Sequence, residues 1–204
     1  MNGTHYYNKT LRNCVALFGT LFNEIYVSRN GSNQQRVPIA YGPRQKFLQR
    51  IDQRPNLPGE HGQIKLPRIS YQMEAPVYDP ERQKNSQQSR IVQSTVGGQS
   101  VAAKVWQPAA YIIPFELNIM AKNHDEAFQI VEQILPTFTP SLGLTIKPIE
   151  GMDIRDDILI TLISIAKQDD YEGEQSAQRT IIYTLTFDIR INIYGRIDQN
   201  VSVI

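Results

Sequence analysis

Apolar positions change their spacing several times along the chain, and each change marks a different predicted element. From about Lys9 to Phe22 they recur every three or four residues, which predicts an amphipathic helix with Asn8 as its N-cap. The segment "IYVSRNGSNQQRVPIAY" predicts two short strands around a turn, and Pro38 favours an edge position for the second. "PRQKFLQRI" predicts a short helix with Pro43 in its first turn.

Strict alternation replaces the helical period from Ile69 to Val77, which predicts a strand with one buried face. Residues 79–90 are polar and aperiodic, and we interpret them as a loop or an arm that orders only against a partner. "IVQSTVGGQSVAAKVW" predicts a hairpin that turns at Gly97 and Gly98.

The most regular unit is the strand "YIIPFELNIMAK" followed by the helix "NHDEAFQIVEQILPTF". Asn123 and Glu126 have the spacing of a capping box, and Pro136 is expected to end the helix. The apolar stripe of this helix is predicted to pack on a sheet. Its members are Ala127, Ile130, Val131, Ile134, Leu135 and Phe138.

The last third predicts three strands, in "LTIKPI", "DILITLISIAK" and "RTIIYTLTFDIRINIY". The last would extend roughly 45 Å at about 3.3 Å per residue. Because usual strands have about five or six residues, part of it is expected to project from the domain. Residues 168–178 are predicted to form an acidic hairpin tip. The chain as a whole predicts one α+β domain, residues 1–204. It would have a mainly antiparallel sheet, the N-terminal helix and the helix at about 123–136 on one face, and a long C-terminal hairpin.

Composition narrows the function classes. The chain has 204 residues with 21 basic and 20 acidic side chains, so its formal net charge of +1 gives no overall basic field for nucleic acid. Cys14 is its one cysteine, which excludes an intrachain disulfide and favours a reducing compartment. Neither a signal-peptide pattern nor a bilayer-length apolar run is evident.

Candidate chemistry is sparse. His5, His61 and His124 lack ligand spacing, so a zinc site is not expected. The acidic tip is most simply a solvated loop, with docking on a basic neighbour or a metal site as the alternatives. We therefore predict no catalytic residue, no cofactor and no metal. Two charge clusters remain as candidate interface residues, and they are Arg36, Arg44, Arg50 and Arg54 early in the chain and Asp169, Asp170, Glu172 and Glu174 at the tip.

Several segments resemble one known family. They are "YYNKTLRNCVALFGTLFNEIYVSR", "RVPIAY", "LPRISY", "PFELNIMAKNHDEAFQIVEQILPTFTP" and "RTIIYTLTFDI". Together they are similar to the tail sheath stabiliser and completion proteins of T4-like contractile-tailed phages, from about Tyr6 to Tyr194. The strand with "DEAFQIVEQILP" is the most specific part of the resemblance.

The resemblance implies a structural protein of the virion, made in the host cytoplasm, that forms a ring expected to be hexameric. The ring would cap the head-proximal end of the tail and join it to the neck. Its implied partners are copies of itself, the tail sheath protein, the tail tube or tube-terminator protein and the neck or head-completion protein. Neither a membrane nor a specific nucleic acid is among them. A nucleic-acid-binding α+β module is the alternative, although the predicted sheet faces are aliphatic rather than aromatic.

Overall fold

The computed structural model describes residues 5–29, 33–52, 66–96, 99–149, 152, 154–170 and 180–199. Three helices lie within these ranges, α1 (Thr10–Leu21), α2 (Arg44–Asp52) and α3 (His124–Ile134). The strands, in chain order, are β1 (Tyr26–Arg29), β2 (Asn33–Arg36), β3 (Ile39–Tyr41), β4 (Arg68–Met73), β5 (Val77–Tyr78), β6 (Ser89–Val96), β7 (Gln99–Trp106), β8 (Ala109–Ala121), β9 (Ser141–Ile146), β10 (Asp156–Asp170), β11 (Thr180–Ile193) and β12 (Asp198–Gln199).

A seven-stranded sheet organises the molecule. Its strand order is β3-β4-β8-β11-β10-β9, with the short β5 also beside β8. All neighbours are antiparallel except β3 and β4. The expectation that part of β11 projects is wrong. β11 pairs with β8 from Ile181 to Ile193 and with β10 over most of the same length, because both neighbours are themselves unusually long.

Helices α1 and α3 pack on the same face of this sheet, and the predicted α+β fold is confirmed. Phe18 of α1 and Ile130 of α3 are both fully buried in one cluster with alternate residues of β8 and β11. Phe18 stacks on Phe115 with ring centroids 4.4 Å apart, and Phe187 packs edge-on to Phe18 at 5.4 Å. Burying large aromatic side chains of this kind contributes much of the hydrophobic stabilisation of a core.

The opposite face of the sheet is covered only in part. Phe47 of α2 packs with Leu66, Met120 and Ile182 in a small apolar cluster. As a result Ser70 is as buried as its neighbours Ile69 and Tyr71, so the prediction of one buried face is wrong for this part of β4. Farther along, β8 and β11 present polar side chains on this face. These are Glu116, Asn118, Thr184, Thr186, Asp188 and Arg190.

Pro114 lies inside the long strand β8 without breaking it. The carbonyl of Pro114 accepts a hydrogen bond from the amide of Glu74, so the side of Pro114 that lacks a donor faces the gap between β4 and β5. In a strand the N–H and C=O of one residue point to the same edge. The missing amide therefore falls where the neighbouring strand is interrupted, which is the tolerated place for proline in a sheet.

A second, three-stranded sheet has the order β12-β7-β6 and a small apolar core of its own. The predicted hairpin is confirmed, because Val96 pairs with Gln99 across the connection; Gly97 and Gly98 lie outside the described residues. Asn8 is not the N-cap of α1. Its side-chain amide donates to the carbonyls of Tyr194 and Gly195, and Lys9 occupies the cap position without a side-chain bond.

Residues 79–90 differ from the predicted loose loop at their start. Asp79 is buried and receives a 2.6 Å hydrogen bond from the Nε of Arg82. The same guanidinium donates to the carbonyls of Tyr111 and Ile191, at 3.2 and 3.3 Å. A short 3-10 turn, Pro80–Arg82, is thereby fixed to the main sheet, whereas 83–88 are exposed. The polar composition of residues 79–90 suggested a loop, because composition alone does not show which charged side chains form buried ion pairs.

Candidate subunit interface

The part of the chain that the structure describes has few candidates for a metal-binding or nucleophilic side chain. These residues contain no group of three or more His, Cys, Asp or Glu side chains that could hold a metal ion. Cys14 is buried, and this burial raises the pKa of its thiol to about 12. Since the thiolate is the nucleophile, a thiol in this environment is a packing residue. None of the described helices has the length and apolar character needed to cross a membrane.

Asp156 and Asp157, the first two residues of β10, serve as hydrogen-bond acceptors for neighbouring elements. Tyr194 donates to both oxygens of Asp156, at 2.8 and 2.9 Å, and Asn192 donates to one of them. Burial and this hydrogen bond raise the pKa of the Tyr194 phenol. Asp157 accepts from the Thr145 hydroxyl on β9. The hydrogen bonds of these two aspartates therefore connect β9, β10 and the end of β11.

Two glutamines of α3 close the free edge of β1. The side-chain amide of Gln133 accepts from the backbone N–H of Tyr26 and donates to its C=O, at 3.2 and 2.7 Å. Gln129, one turn earlier, does the same with Ser28 at 2.8 and 3.2 Å. Residues spaced i, i+4 lie on one helix face, and alternate strand residues direct their backbone groups to one edge. The helix thus replaces a neighbouring strand.

An ion pair fixes the other end of the same contact. The Nε of Arg29 lies 2.7 Å from Oε1 of Glu126, and the guanidinium also donates to the carbonyl of Leu66. The predicted capping box is therefore wrong: Asn123 makes no side-chain cap bond, and Glu126 turns inward to Arg29. The sequence did contain a signal for this burial, because Glu126 lies four residues before Ile130 and therefore on the apolar stripe of the helix. A charge there is buried only with a partner.

The predicted basic cluster does not form one patch. Arg36 donates to the carbonyl of Asn23, near the end of α1. Arg44, at the start of α2, donates to the side-chain oxygen of Gln168 at 2.9 Å, near the end of β10. The side chain of Arg50 and all of Arg54 lie outside the described residues.

Asp169 is the one acidic candidate whose side chain the structure describes, and it follows Gln168 directly in β10. Asp169 is 3.6 Å from Nε2 of His124, across the start of α3. The side chain of Asp170, together with Glu172, Glu174 and the rest of the predicted tip, lies outside the described residues. The start of α2 and the stem of the acidic hairpin are thus neighbours within one chain. The role of the two charge clusters as interface residues stays a prediction.

Sequence reasoning did not single out the outer half of β10. Among the described residues, β9 pairs with β10 only from Asp156 to Thr161, and β10 continues to Asp170 with β11 on one side. A bulge at Ile163 marks the point where the edge becomes open. The exposed fraction is 55% for Ile163 and 43% for Ile165. An open strand edge with exposed isoleucines is a surface that natural proteins usually cover.

Comparison with known proteins identifies the family of this chain. The family model for the T4-like virus Myoviridae tail sheath stabiliser matches residues 5–204. The chain is 30% identical to the tail completion protein gp15 of Enterobacteria phage T4, over 96% of this chain and 74% of that protein. The chain therefore belongs to the tail sheath stabiliser family of T4-like viruses of the Myoviridae.

Proposed function

We propose that this protein is a structural component of the phage tail that forms a ring, expected to be hexameric, at the head-proximal end. The ring caps the tail tube, stabilises the end of the contractile sheath and provides the surface that joins the tail to the neck. Its partners are further copies of itself, the sheath protein, the tube or tube-terminator protein and the neck protein. Family membership and the tail-completion role named for the phage T4 relative support this proposal.

The observation that carries the proposal is the contrast between a dense scaffold and surfaces left uncovered. Helices α1 and α3 bury one face of the main sheet completely at residues such as Phe115 and Phe187. The outer half of β10 has no strand partner on one side among the described residues. A rigid body with an open strand edge is suited to pairing with another chain.

A structural rather than a catalytic role also fits the polar groups. Asp79, Glu126 and Asp156 each have a named partner that fixes one element to another. Strands β8 and β11, which the structure describes in full, place no aromatic side chain on the partly open face of the sheet. Base-stacking aromatic residues are typical of sheets that bind single-stranded nucleic acid. The structural role is therefore preferred over the nucleic-acid-binding alternative.

The direct test is to disrupt the gene in the phage and to image the tails by negative-stain electron microscopy. We expect sheaths that do not remain stable at the head-proximal end, or tails that do not join filled heads. Supplying the intact chain from a plasmid restores both properties. Tails that stay stable and join heads without the protein would contradict the proposal. Size-exclusion chromatography with light scattering measures ring formation by the isolated chain.

A further inference from the structure

We propose that neighbouring subunits join by strand addition, with the outer edge of β6 from one copy pairing with the open part of β10, Leu162–Lys167, in the next copy. This inference rests on the proposed function, because it names the contact that closes the proposed ring. The two edges belong to different sheets of the same chain. Such a contact is heterologous, and heterologous contacts generate rings when the rotation between copies closes.

The first edge, on β10, has unpaired backbone groups on its outer side. Leu162 and the residues after it pair with β11 on one side, while β9 ends opposite Thr161. Every second residue of such an edge directs its N–H and C=O outward. Those groups form hydrogen bonds with any strand that approaches in register, which is the basis of recognition by strand addition.

The second edge is that of β6. In the described chain β6 pairs with β7 alone, and its outer side carries no strand over the eight residues Ser89–Val96. Val92 and Arg90 lie on the inner face of the hairpin, opposite the buried Ala103 and Val105. Ile91 lies on the other face. The hairpin is thus held to its own subunit by one face and presents its edge and its other face outward.

Exposed apolar side chains accompany both edges. Ile163 and Ile165 are 55% and 43% exposed on β10, and Ile91 and Trp106 are 59% and 39% exposed on the hairpin. Pairing the strands brings side chains from both edges together and removes apolar surface from water, at roughly 25 cal/mol per Å². Cross-strand contacts between aromatic and β-branched residues favour such pairing.

The other open edges of the described chain fit less well. β2, β3, β5 and β12 have between two and four residues, too few for a stable ladder. β9 has six residues, but its exposed positions are Gly143 and Thr145, which offer little apolar surface. The edge of β1 is already occupied by Gln129 and Gln133.

Charge also favours pairing of unlike edges. The hairpin 89–106 contains two basic residues, Arg90 and Lys104, and no acidic residue. Lys104 lies 4.4 Å above the ring of the exposed Trp106, on the outward face. Residues 162–174 contain four acidic residues and one basic residue, Lys167. The hairpin is thus positive and the end of β10 with its following loop is negative. The acidic residues follow the pairing segment Leu162–Lys167 and do not lie within it, so the difference in charge favours the approach of β6 over that of a second β10.

Chemical cross-linking tests the contact directly. The double variant Ile91→Cys/Ile163→Cys is treated with a short bis-maleimide, both as the purified chain and in lysates of infected cells where tails assemble. We expect a ladder from dimer to the closed ring on a denaturing gel. Each single variant alone gives monomer, and a mixture of the two single variants gives dimer and nothing larger. Wild-type protein under the same treatment controls for the buried Cys14.

The outcomes separate this contact from the proposed function. If no ladder forms in either preparation, the strand pairing is overturned, while rescue of gene-disrupted phage by the wild-type chain would leave the ring proposal standing. Dimers from Ile163→Cys alone would show β10 pairing with β10 and would also overturn it. A ladder in a phage whose tails are normal without the protein would uphold the contact and reject the proposed function.

A second measurement does not depend on cross-linking. Replacing an exposed isoleucine in the middle of the proposed contact by lysine puts a charge among the apolar side chains and disfavours edge-to-edge pairing. Ile163→Lys is expected to abolish oligomers in light scattering and to lose rescue of the phage, with an unchanged melting temperature of the monomer. Gly143→Lys, on the exposed edge of β9 where an added side chain meets open space, is the matched control and should retain both. Retention of oligomers by Ile163→Lys would contradict the proposal.

Discussion

Two strand edges of this protein are treated in opposite ways. The edge of β1 is closed from within the chain, because Gln129 and Gln133 of α3 each exchange two hydrogen bonds with one β1 residue. The outer half of β10 has no such partner among the described residues, although exposed isoleucines border it. The first edge needs no other protein to satisfy its backbone.

This difference indicates which surfaces the fold requires and which it offers. Closing β1 joins the β1–β2 hairpin to α3, and α3 in turn covers the main sheet through Ile130 and Ile134. Among the described residues, Leu162 of outer β10 packs against the main core cluster, whereas Ile163 and Ile165 are not part of it. We therefore expect substitutions near α3 to change folding stability and the same substitutions on outer β10 to change assembly.

The largest contrast comes from placing one aspartate in each region. Ile130→Asp buries a carboxylate without a partner, and we expect it to lower the free energy of unfolding by more than about 4 kcal/mol. Ile163→Asp changes an exposed residue and should alter monomer stability by less than about 0.5 kcal/mol. Urea denaturation of the two variants measures both values. If Ile130→Asp unfolds at the same urea concentration as the wild type, the burial of Ile130 between α3 and the main sheet is contradicted.

Removing one partner of the ion pair at the β1–α3 contact should have the next largest effect. Arg29→Ala leaves the buried Glu126 without its cation, and we expect a loss of about 2–3 kcal/mol in unfolding free energy. The double variant Arg29→Ala/Glu126→Gln should recover part of this loss, because no buried charge remains. A double-mutant cycle by urea denaturation separates the pair from its surroundings. Independent, additive losses would show that the two side chains do not interact.

The closing of the β1 edge can be tested alone. Gln129→Ala and Gln133→Ala each remove two hydrogen bonds to β1, and we expect a loss of about 1 kcal/mol for each variant. Glu132→Ala, an exposed position on the same helix, is the control and should change stability by less than about 0.5 kcal/mol. Hydrogen exchange of the Tyr26 and Ser28 amides should accelerate in the glutamine variants alone. Unchanged exchange would contradict the proposed closing of this edge.

Much of the framework could be predicted from periodicity. The change from alternation to a 3.6-residue period locates β8 and α3, and the resulting stripe faces the core because hydrophobic burial needs no specific partner. The hairpin β6–β7 follows from turn residues between two strand-like runs. These features depend on local sequence, so one chain without relatives is sufficient to find them.

Partner choice could not be predicted in the same way. Asn123 and Glu126 have capping-box spacing, yet Glu126 bonds to Arg29, which is 97 residues away in sequence. The length of β11 suggested a projecting strand, but the length of one strand does not show how long its neighbouring strands are. The open edge of β10 was missed for the same reason, since it exists only because β9 ends opposite Thr161.

The smallest expected effect concerns how the β6 edge is held, and it appears as a pH dependence. The hydrogen bond from Arg82 holds the pKa of Asp79 below its ordinary value. A carboxyl whose pKa is lower in the folded state stabilises the protein above its unfolded pKa of about 3.9, and this stabilisation is lost as the pH falls through the folded pKa.

Asp79→Asn should therefore lower the melting temperature near neutral pH. Its difference from the wild type should narrow as the pH is lowered below about 4. Arg82→Gln should flatten the acid dependence in the same way, because it removes the same partner. A constant difference between wild type and Asp79→Asn across this range would mean that the anchor before β6 does not depend on the Asp79 charge.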